Sequence, residues 1–522
     1  MEIRVHRWLS HKVHCYWRKN GTQRPSAQSQ SRLQKVQLLH SGVVETRQSA
    51  GQQMTKVSAL AHNRGQVFAG LSIALAVCVV AVIAPAMVGS VYVVAALLAL
   101  LLFFASVAHP KLAVVLWLTS VCFLPFWVGV DNPFYLPASS LAGLVVLGGA
   151  FVKNPWRIGR TDVAVLLFCA LCLVCGVVGL SRPGDVTNVV TQWLLSFLIG
   201  RLLVQRAGLS FTYRAIAYIF TAAAICAMIE FFLDWNPYYT WVIDNTQYLA
   251  WGHEQDRGGI VRAEWAFGHS IALGCSLAMA IPIVLACNFR SAVRTGLIAL
   301  LLGGTVVSFS RSGMISAVFA LLLSLLFFSS KEKTRGRLAV VLTLGLIAWF
   351  AIPKILAVFA EEGRRATISA DYRITLIDLI PSMNPLGLAK GYTEPSRGEF
   401  YFQGFKSIDS TFVLLGVSFG YLVALLALAA VAWLAWQVIR RTTSAPAISI
   451  LAVVPALFTV ALITQFGSVF WFFLGMLSLH DSVVAQRKAE HQPKGVLRTI
   501  DARTVDSESS AGSGKIGVVG DV

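Results

Sequence analysis

The chain has 522 residues, of which 56% are apolar and 13% are charged, and its mean hydropathy is +0.68. Soluble globular proteins have about 45–50% apolar and about 25% charged residues. So few charges cannot cover a water-facing surface of this size, which excludes both a soluble enzyme and a disordered chain. The composition therefore predicts a protein that is surrounded by lipid.

Residues 1–66 form a basic segment with eleven Lys or Arg residues, two acidic residues and no apolar run. No apolar stretch closely follows the first basic residues, so the segment does not have the pattern of a signal peptide. We interpret it as a disordered cytoplasmic tail that is attracted to anionic membrane lipids rather than to nucleic acid. Residues 487–522 are polar and rich in Ser and Gly, which predicts a second disordered cytoplasmic tail.

Residues 67–486 form the predicted transmembrane domain, because apolar stretches there reach the roughly 17–25 residues that a helix needs to cross a bilayer. Lipid offers the backbone no hydrogen-bond partners and no alternating barrel pattern is present, so the spans are expected to be helices. Some stretches are short or closely joined, so we predict an all-α polytopic transmembrane helix bundle of about 12–14 spans. The stretches are 67–87, 89–107, 112–130, 136–152, 163–181, 189–206, 213–233, 267–288, 295–310, 312–329, 337–357, 410–438, 446–463 and 464–480.

The short basic loops all fall on one side when the spans alternate from a cytoplasmic N-terminus. These loops are 153–160, 206–214, 290–294, 331–337 and 440–441. Cytoplasmic loops of membrane proteins carry an excess of Lys and Arg. The pattern therefore predicts a multi-pass protein of the cytoplasmic membrane with both termini in the cytoplasm. Two long segments, 234–266 and 359–409, are left outside.

The segment 359–409 carries six basic residues although it is predicted to lie outside. They are Arg364, Arg365, Arg373, Lys390, Arg397 and Lys406. Long loops cross membranes regardless of charge, so one interpretation is a solvated loop. The other interpretation is that these cations face an anionic substrate at the outer leaflet.

The same outer segment contains a predicted amphipathic helix that ends at the turn 385–387. Its apolar face comprises Ile374, Ile377, Ile380 and Met383, and its polar face Asp371, Thr375, Asp378 and Ser382. A helix with two such faces is suited to lying along a membrane surface.

Two arginines elsewhere in the predicted outer regions could bind an anion. Arg262 ends a segment, 234–266, with seven Trp or Tyr among 33 residues, which indicates an interfacial aromatic belt or a surface for stacking sugar rings. Arg311 lies in residues 308–313 (SFSRSG), between two short apolar runs. It either snorkels towards the headgroups or holds a diphosphate, whose oxygens a planar guanidinium matches.

No Asp, Glu, Lys or Arg lies near the middle of a predicted span. Ion-coupled transporters usually need ionisable residues or broken helices at that depth. The charge gathers at the predicted outer rim instead, which favours a reaction at the outer interface. No HExxH, Cys/His zinc spacing or Asp-x-Asp pair occurs, so no metal site is predicted.

Three motifs resemble the O-antigen ligase and O-antigen polymerase family of polytopic membrane glycosyltransferases. Residues 262–274 (RAEWAFGHSIALG) resemble the family's entry from a loop into a helix, and residues 308–313 resemble its Ser-Arg turn. The stretch from Arg373 through 385–387 to 408–414 (IDSTFVL), followed by Gly420, is similar to its large outer loop and the next helix. The resemblance covers about residues 190–480 in order.

This resemblance implies a metal-independent glycosyltransferase of cell-envelope polysaccharide synthesis that uses no cofactor. Its donor would be a saccharide on a polyprenyl diphosphate at the outer leaflet, and its acceptor a hydroxyl group of a glycan, a lipid or a protein. The transfer would invert the anomeric carbon and release the polyprenyl diphosphate. Arg262 and Arg311 would hold the diphosphate, with Arg373 as a further residue for that task.

A general base must take the proton of the acceptor hydroxyl. The ligases of the family generally have a His-Asn pair where this chain has Asp409 and Ser410. A carboxylate can also act as a base, so Asp409 is the first expected catalytic residue and Glu264 the second. The departure from His favours a polymerase-like or exopolysaccharide-type member over a lipopolysaccharide ligase.

Two other functions stay open at this point. A transporter or flippase of a lipid-linked or anionic solute would be supported by polar residues at the membrane midplane or by an inverted repeat of helices. A non-catalytic scaffold would be supported if no cavity joined the regions of Arg262, Arg311 and Asp409.

Overall fold

The structure is a computed structural model, and it describes residues 90–131, 135–151, 158–240, 243, 245–257, 259–328, 345, 372, 375–396, 399–405, 407–440 and 444–491. The predicted span 67–87, the span 337–357 apart from residue 345, and Arg373 lie outside these residues. The chain forms two compact units, Met1–Val94 and Ala95–Val522. Only residues 90–94, the start of the first helix, are described in the first unit.

Helices make up most of the described chain. They are α1 (Ser90–Ala108), α2 (Pro110–Phe123), α3 (Ala138–Phe151), α4 (Arg160–Val177), α5 (Pro183–Ala207), α6 (Leu209–Leu233), α7 (Thr246–Trp251), α8 (Ser270–Ala286), α9 (Ser291–Val307), α10 (Arg311–Phe327), α11 (Thr411–Phe419), α12 (Tyr421–Ile439), α13 (Ala445–Ala452), α14 (Val454–Leu457) and α15 (Thr464–His491). Short 3-10 helices cover Pro237–Thr240, Trp265–Phe267 and Leu376–Ser382. Helix α5 contains two π-helical segments, Val189–Leu194 and Ile199–Leu203.

Five of these helices are long and apolar enough to cross a membrane: α4, α5, α6, α12 and the Thr464–Val484 part of α15. Helices α4 and α12 expose many apolar side chains, including Leu167, Leu425 and Trp433. Such a large exposed apolar area is typical of a surface that meets lipid. The predicted helical membrane protein is thus supported, while the number of spans and their sidedness stay predictions.

Helix α8 lies at the centre of the bundle, and fourteen of its seventeen residues are buried. It packs against α10 through two glycines, Gly274 and Gly313. A Cβ atom added at Gly313 would lie 2.9 Å from the Gly274 backbone, so a side chain at this crossing would push the helices apart. Small residues permit such close approach between apolar helices. The crossing brings the first turn of α10 against the first turns of α8.

A buried polar cluster joins α4, α5 and α15. The Arg201 Nε atom lies 3.0 Å from the Asp162 Oδ1 atom, and both side chains are almost fully buried. The Ser478 hydroxyl donates to the same Asp162 oxygen over 2.5 Å, and Arg201 also donates to Gln205. The sequence did not predict this ion pair, because Asp162 stands just before the predicted span 163–181.

The described chain is mostly helical, as predicted, and three short antiparallel hairpins lie between its helices. The pairs are β1 (Gly129–Asp131) with β2 (Tyr135–Pro137), β3 (Asp256–Arg257) with β4 (Ile260–Val261), and β5 (Tyr392–Ser396) with β6 (Glu399–Phe402). In the last hairpin Tyr392 pairs with Phe402, with ring centroids 5.4 Å apart. Cross-strand aromatic pairs stabilise hairpins, which accounts for strands in a segment with no helical periodicity.

The predicted span 410–438 is two helices, because the chain breaks at Gly420 between α11 and α12. Gly420 has a φ of 102°, a left-handed backbone conformation that glycine adopts more readily than any residue with a Cβ atom. A Cβ atom there would lie 2.5 Å from the Pro385 carbonyl oxygen. The loop before α11 therefore passes directly over the break.

The predicted amphipathic helix is a 3-10 helix over Leu376–Ser382 in the described residues. Leu376 and Leu379 point into the protein, whereas Ile377 and Ile380 are 57% and 51% exposed. Ile377 and Ile380 of the predicted apolar face are thus not covered by the described protein, whereas Ser382 of the predicted polar face is buried. Ile374 lies outside the described residues. With three residues per turn, Leu376, Leu379 and Ser382 align on the buried side.

We expect Asp162→Ala to destabilise the fold strongly, because it leaves the Arg201 guanidinium buried without its carboxylate. Removing one partner of a buried ion pair costs about 3–5 kcal/mol. Thermal unfolding in detergent, followed by the loss of the monodisperse size-exclusion peak, measures the effect. Thr161→Ala is the matched control, since it removes only a hydrogen bond from Thr161 to Asp481. Equal midpoints for the two variants would contradict the prediction.

Candidate functional site

Glu230, near the end of α6, holds the segment that carries Arg262 in place through hydrogen bonds. Its Oε2 atom accepts a hydrogen bond from the Trp265 amide over 2.7 Å, and its Oε1 atom accepts from Asn236 over 2.8 Å. Trp265 has a φ of 47°, which is unusual and strained for a bulky residue. The buried Glu230 thus holds a strained turn that directly follows Arg262 and Glu264.

Arg262 lies against the turn that leads to Arg311. Its guanidinium Nε donates to the Ser308 carbonyl over 3.2 Å, and only 6% of the residue is exposed. The next amide, of Ala263, donates to the Val307 carbonyl over 3.2 Å. The structure therefore brings the chain around Arg262 to the residues that precede Arg311.

The turn before Arg311 is also strained. Phe309 has a φ of 45°, and its ring packs 5.5 Å from the ring of Phe231. Ser310 caps α10 by accepting a hydrogen bond from the Gly313 amide over 3.1 Å. Arg311 is consequently the first residue of the helix and is partly exposed. Strained turns therefore lie next to both arginines, as often occurs at functional sites.

Several helices begin at this end of the bundle, which we call the site end, and three of them have N-terminal side-chain caps. They are α8, α10 and α11, capped by His269, Ser310 and Ser410 respectively. The Ser312 hydroxyl lies 3.4 Å from the Thr459 hydroxyl, and the Thr411 hydroxyl donates to the Val460 carbonyl over 2.8 Å. Residues 459 and 460 thus contact the starts of α10 and α11. Helix N-termini carry partial positive charge, so their grouping favours an anion.

Asp409 directly precedes the cap of α11. Its Oδ1 atom accepts a hydrogen bond from the Ser407 hydroxyl over 2.9 Å, and the side chain is partly exposed. Tyr372 donates to the Ser407 carbonyl from the other side. Asp409 is therefore an accessible carboxylate on the rim of the site end, near the loop that also contacts Ser312. Arg373 lies outside the described residues.

Glu264 has a different environment, since none of its surface is exposed. Its Oε1 atom accepts a hydrogen bond from the Tyr239 hydroxyl over 3.1 Å, while Oε2 is buried without a hydrogen bond among the described residues. Burial raises the pKa of the Glu264 carboxyl well above its usual range, and the nearby Glu230 raises this pKa further. Both effects favour the neutral carboxyl, whereas the hydrogen bond from Tyr239 and the charge of Arg262 act on this pKa in the opposite direction.

A long apolar groove of about 1850 Å³ reaches the start of α11, although Arg262, Arg311 and Asp409 are not among the residues that line it. At that end it is lined by Thr411, Phe412 and Asp185, and at the other end by Thr161 and Asp481. The groove follows α4, whose eighteen residues extend about 27 Å, close to the roughly 30 Å of a bilayer core. Pockets for drug-sized ligands measure about 300–1,000 Å³, so this groove suits a longer, chain-like apolar molecule.

Aromatic side chains form part of the groove wall. Trp193 of α5 stacks on Trp471 of α15 with ring centroids 5.3 Å apart, and Phe168 of α4 lies 6.1 Å from Trp471. Sequence reasoning missed the groove and the role of Glu230, since both depend on contacts between distant segments. Among the described residues no three His, Cys, Asp or Glu side chains group to hold a metal ion.

Comparisons with known proteins found no relative of this chain. No protein-family model, no curated protein and no solved structure matches the chain.

Proposed function

We propose that this chain is a membrane glycosyltransferase, which transfers or polymerises a saccharide from a polyprenyl-diphosphate-linked donor at the outer face of the cytoplasmic membrane. The observation that carries the proposal is the junction of two features at the site end. One is the anion-favouring group of arginines and helix N-termini, and the other is the start of the apolar groove at Thr411 and Phe412. A lipid-linked diphosphate matches both features, because its diphosphate is anionic and its lipid chain is apolar.

In this proposal Arg262, which donates to the Ser308 carbonyl, and Arg311, three residues after Ser308, bind the diphosphate. Guanidinium groups match phosphate oxygens in bidentate geometry, and the N-termini of α10 and α11 add partial positive charge. Negative charge grows on the diphosphate as its bond to the sugar breaks. Fixed positive groups in a site shielded from water stabilise that charge without rearrangement.

Asp409 is the proposed general base. It takes the proton of the acceptor hydroxyl while that oxygen attacks the anomeric carbon from the face opposite the diphosphate. The bond between the anomeric carbon and the diphosphate oxygen breaks, and its electron pair remains on the released polyprenyl diphosphate. Asp409 suits this step better than Glu264, because Asp409 is accessible and Glu264 is buried in a setting that favours its protonated form.

The apolar groove would hold the polyprenyl chain of the donor. Helix α12 forms one wall and is covered by little protein, so a chain can enter sideways from the bilayer. Binding of the chain would position the diphosphate beside Arg262 and Arg311 and lower the entropic cost of the reaction.

We expect Arg262→Ala and Arg311→Ala each to reduce glycan transfer by about 10²–10³-fold or more, because each removes a donor to the developing charge. Transfer from a lipid-linked donor is measured in membranes, with the amount of folded protein determined in parallel. Arg290→Ala is the control, since Arg290 is exposed and lies at the opposite end of α9. Transfer at the unmodified rate by either site variant would refute the proposal.

A comparison of Asp409→Asn with Glu264→Gln tests the assignment of the base. We expect Asp409→Asn to lower kcat by about 10²–10⁴-fold, the usual contribution of a general base. Glu264→Gln should leave kcat nearly unchanged, because the amide replaces an acid whose protonated form is favoured. The same membrane assay measures both variants. The reverse order of effects would assign the base to Glu264.

The groove assignment predicts a dependence on donor chain length. Ala430→Trp places an indole in the groove. If the indole displaces about two methylene groups of the donor chain, at about 0.8 kcal/mol each, KM for the donor rises about tenfold. This rise should occur with a long polyprenyl donor and be small with a short one. Ala429→Trp is the matched control, because Ala429 is exposed on α12 but does not line the groove. Equal effects of the two variants would contradict the assignment.

A further inference from the structure

The 3-10 helix Leu376–Ser382 presents two large aliphatic side chains away from the protein. Ile377 and Ile380 are 57% and 51% exposed, whereas Leu376 and Leu379 on the other side are buried. Exposed isoleucines one 3-10 turn apart form a single ridge, because side chains at i and i+3 align in this helix. The ridge needs a partner that is apolar.

The loop after this helix joins the ridge to the ends of two lipid-facing helices. The Leu388 amide donates to the Leu180 carbonyl over 2.7 Å, just beyond the end of α4. The Tyr421 amide donates to the Asn384 carbonyl over 3.0 Å, which ties the loop to the start of α12. The position of the 3-10 helix is therefore set by helices that the bilayer surrounds.

Exposed apolar side chains continue across these junctions. At the end of α4 they are Val177, Val178 and Leu180, on the connecting loop Leu386, and at the start of α12 Leu422. A basic residue adjoins the ridge as well, since the Lys390 amide donates to the Ser382 carbonyl and Lys390 is exposed. Apolar side chains beside a cation are typical of segments that lie in the lipid headgroup region.

We propose that the ridge of Ile377 and Ile380 is a membrane-surface anchor, which inserts into the headgroup and acyl boundary of the leaflet at the site end. The bilayer is the occupant, because the ridge is continuous with the apolar surface of α4 and α12. The anchor fixes the height of the loop that leads to Asp409 above the lipid. This inference does not depend on the proposed reaction.

Spin-label accessibility in the full-length protein tests the anchor. Nitroxides on Ile377→Cys and Ile380→Cys are measured in nanodiscs of phosphatidylethanolamine and phosphatidylglycerol, with oxygen as the lipid-soluble and a nickel chelate as the water-soluble collision partner. Asp378→Cys is the matched control, because Asp378 is exposed on the same helix but about a third of a turn from Ile377. The signal of labelled unmodified protein is subtracted.

We expect the ratio of oxygen to nickel collisions to be several-fold higher at both isoleucine positions than at Asp378. Equal ratios at the three positions would show that the ridge lies in water and would overturn the proposal. Exclusion of both collision partners at the isoleucines would also overturn it, since the ridge would then contact protein. Size-exclusion profiles confirm that each labelled variant is folded, and the two isoleucine positions provide independent readings. The experiment uses neither a glycan donor nor a transfer assay, so its result is independent of the test of the reaction.

Discussion

The close crossing of α8 and α10 is the constraint on which the site end depends. Gly274 and Gly313 let the two backbones approach to a distance that a single added Cβ atom would prevent. This contact places the capped start of α10 beside the start of α8, and so brings the Ser308 turn within reach of Arg262. Neither arginine could be placed by local structure alone. Their positions follow from backbone packing in an environment where water does not drive helices together.

Much of the fold was predictable from composition and run length, because a lipid solvent permits few backbone structures. Apolar runs indicated most helices, and the small or capping residues at 268–270 and 308–313 indicated where two of them start. The break at Gly420 was not predicted, since the apolar run passes through it without interruption and only the contact with Pro385 requires the glycine. The Asp162–Arg201 pair was also missed, because each residue alone has the pattern of a helix end near the membrane surface.

The site was predictable in its parts and not in its assembly. Arg262, Arg311 and Asp409 stand out as charges beside apolar runs, yet nothing in the sequence shows that residues 459 and 460 contact the helices that follow two of them. Glu264 has a sequence position that suits a catalytic base, but its complete burial in the structure does not suit that role. The role of Glu230 could not be read from sequence either, since its partners Asn236 and Trp265 are brought to it by tertiary folding.

The interruption at Gly420 has a consequence for how the large loop is held. A continuous helix would bond its own amides internally, whereas the break frees backbone groups at its two sides. The loop uses them: the Gly387 amide donates to the Phe419 carbonyl, and the Leu422 amide donates to the Pro385 carbonyl. Phe419 also lines the groove, so the break at Gly420 affects both the attachment of the loop and the shape of the groove wall. Straightening this junction would detach the loop and reshape the groove in the same event.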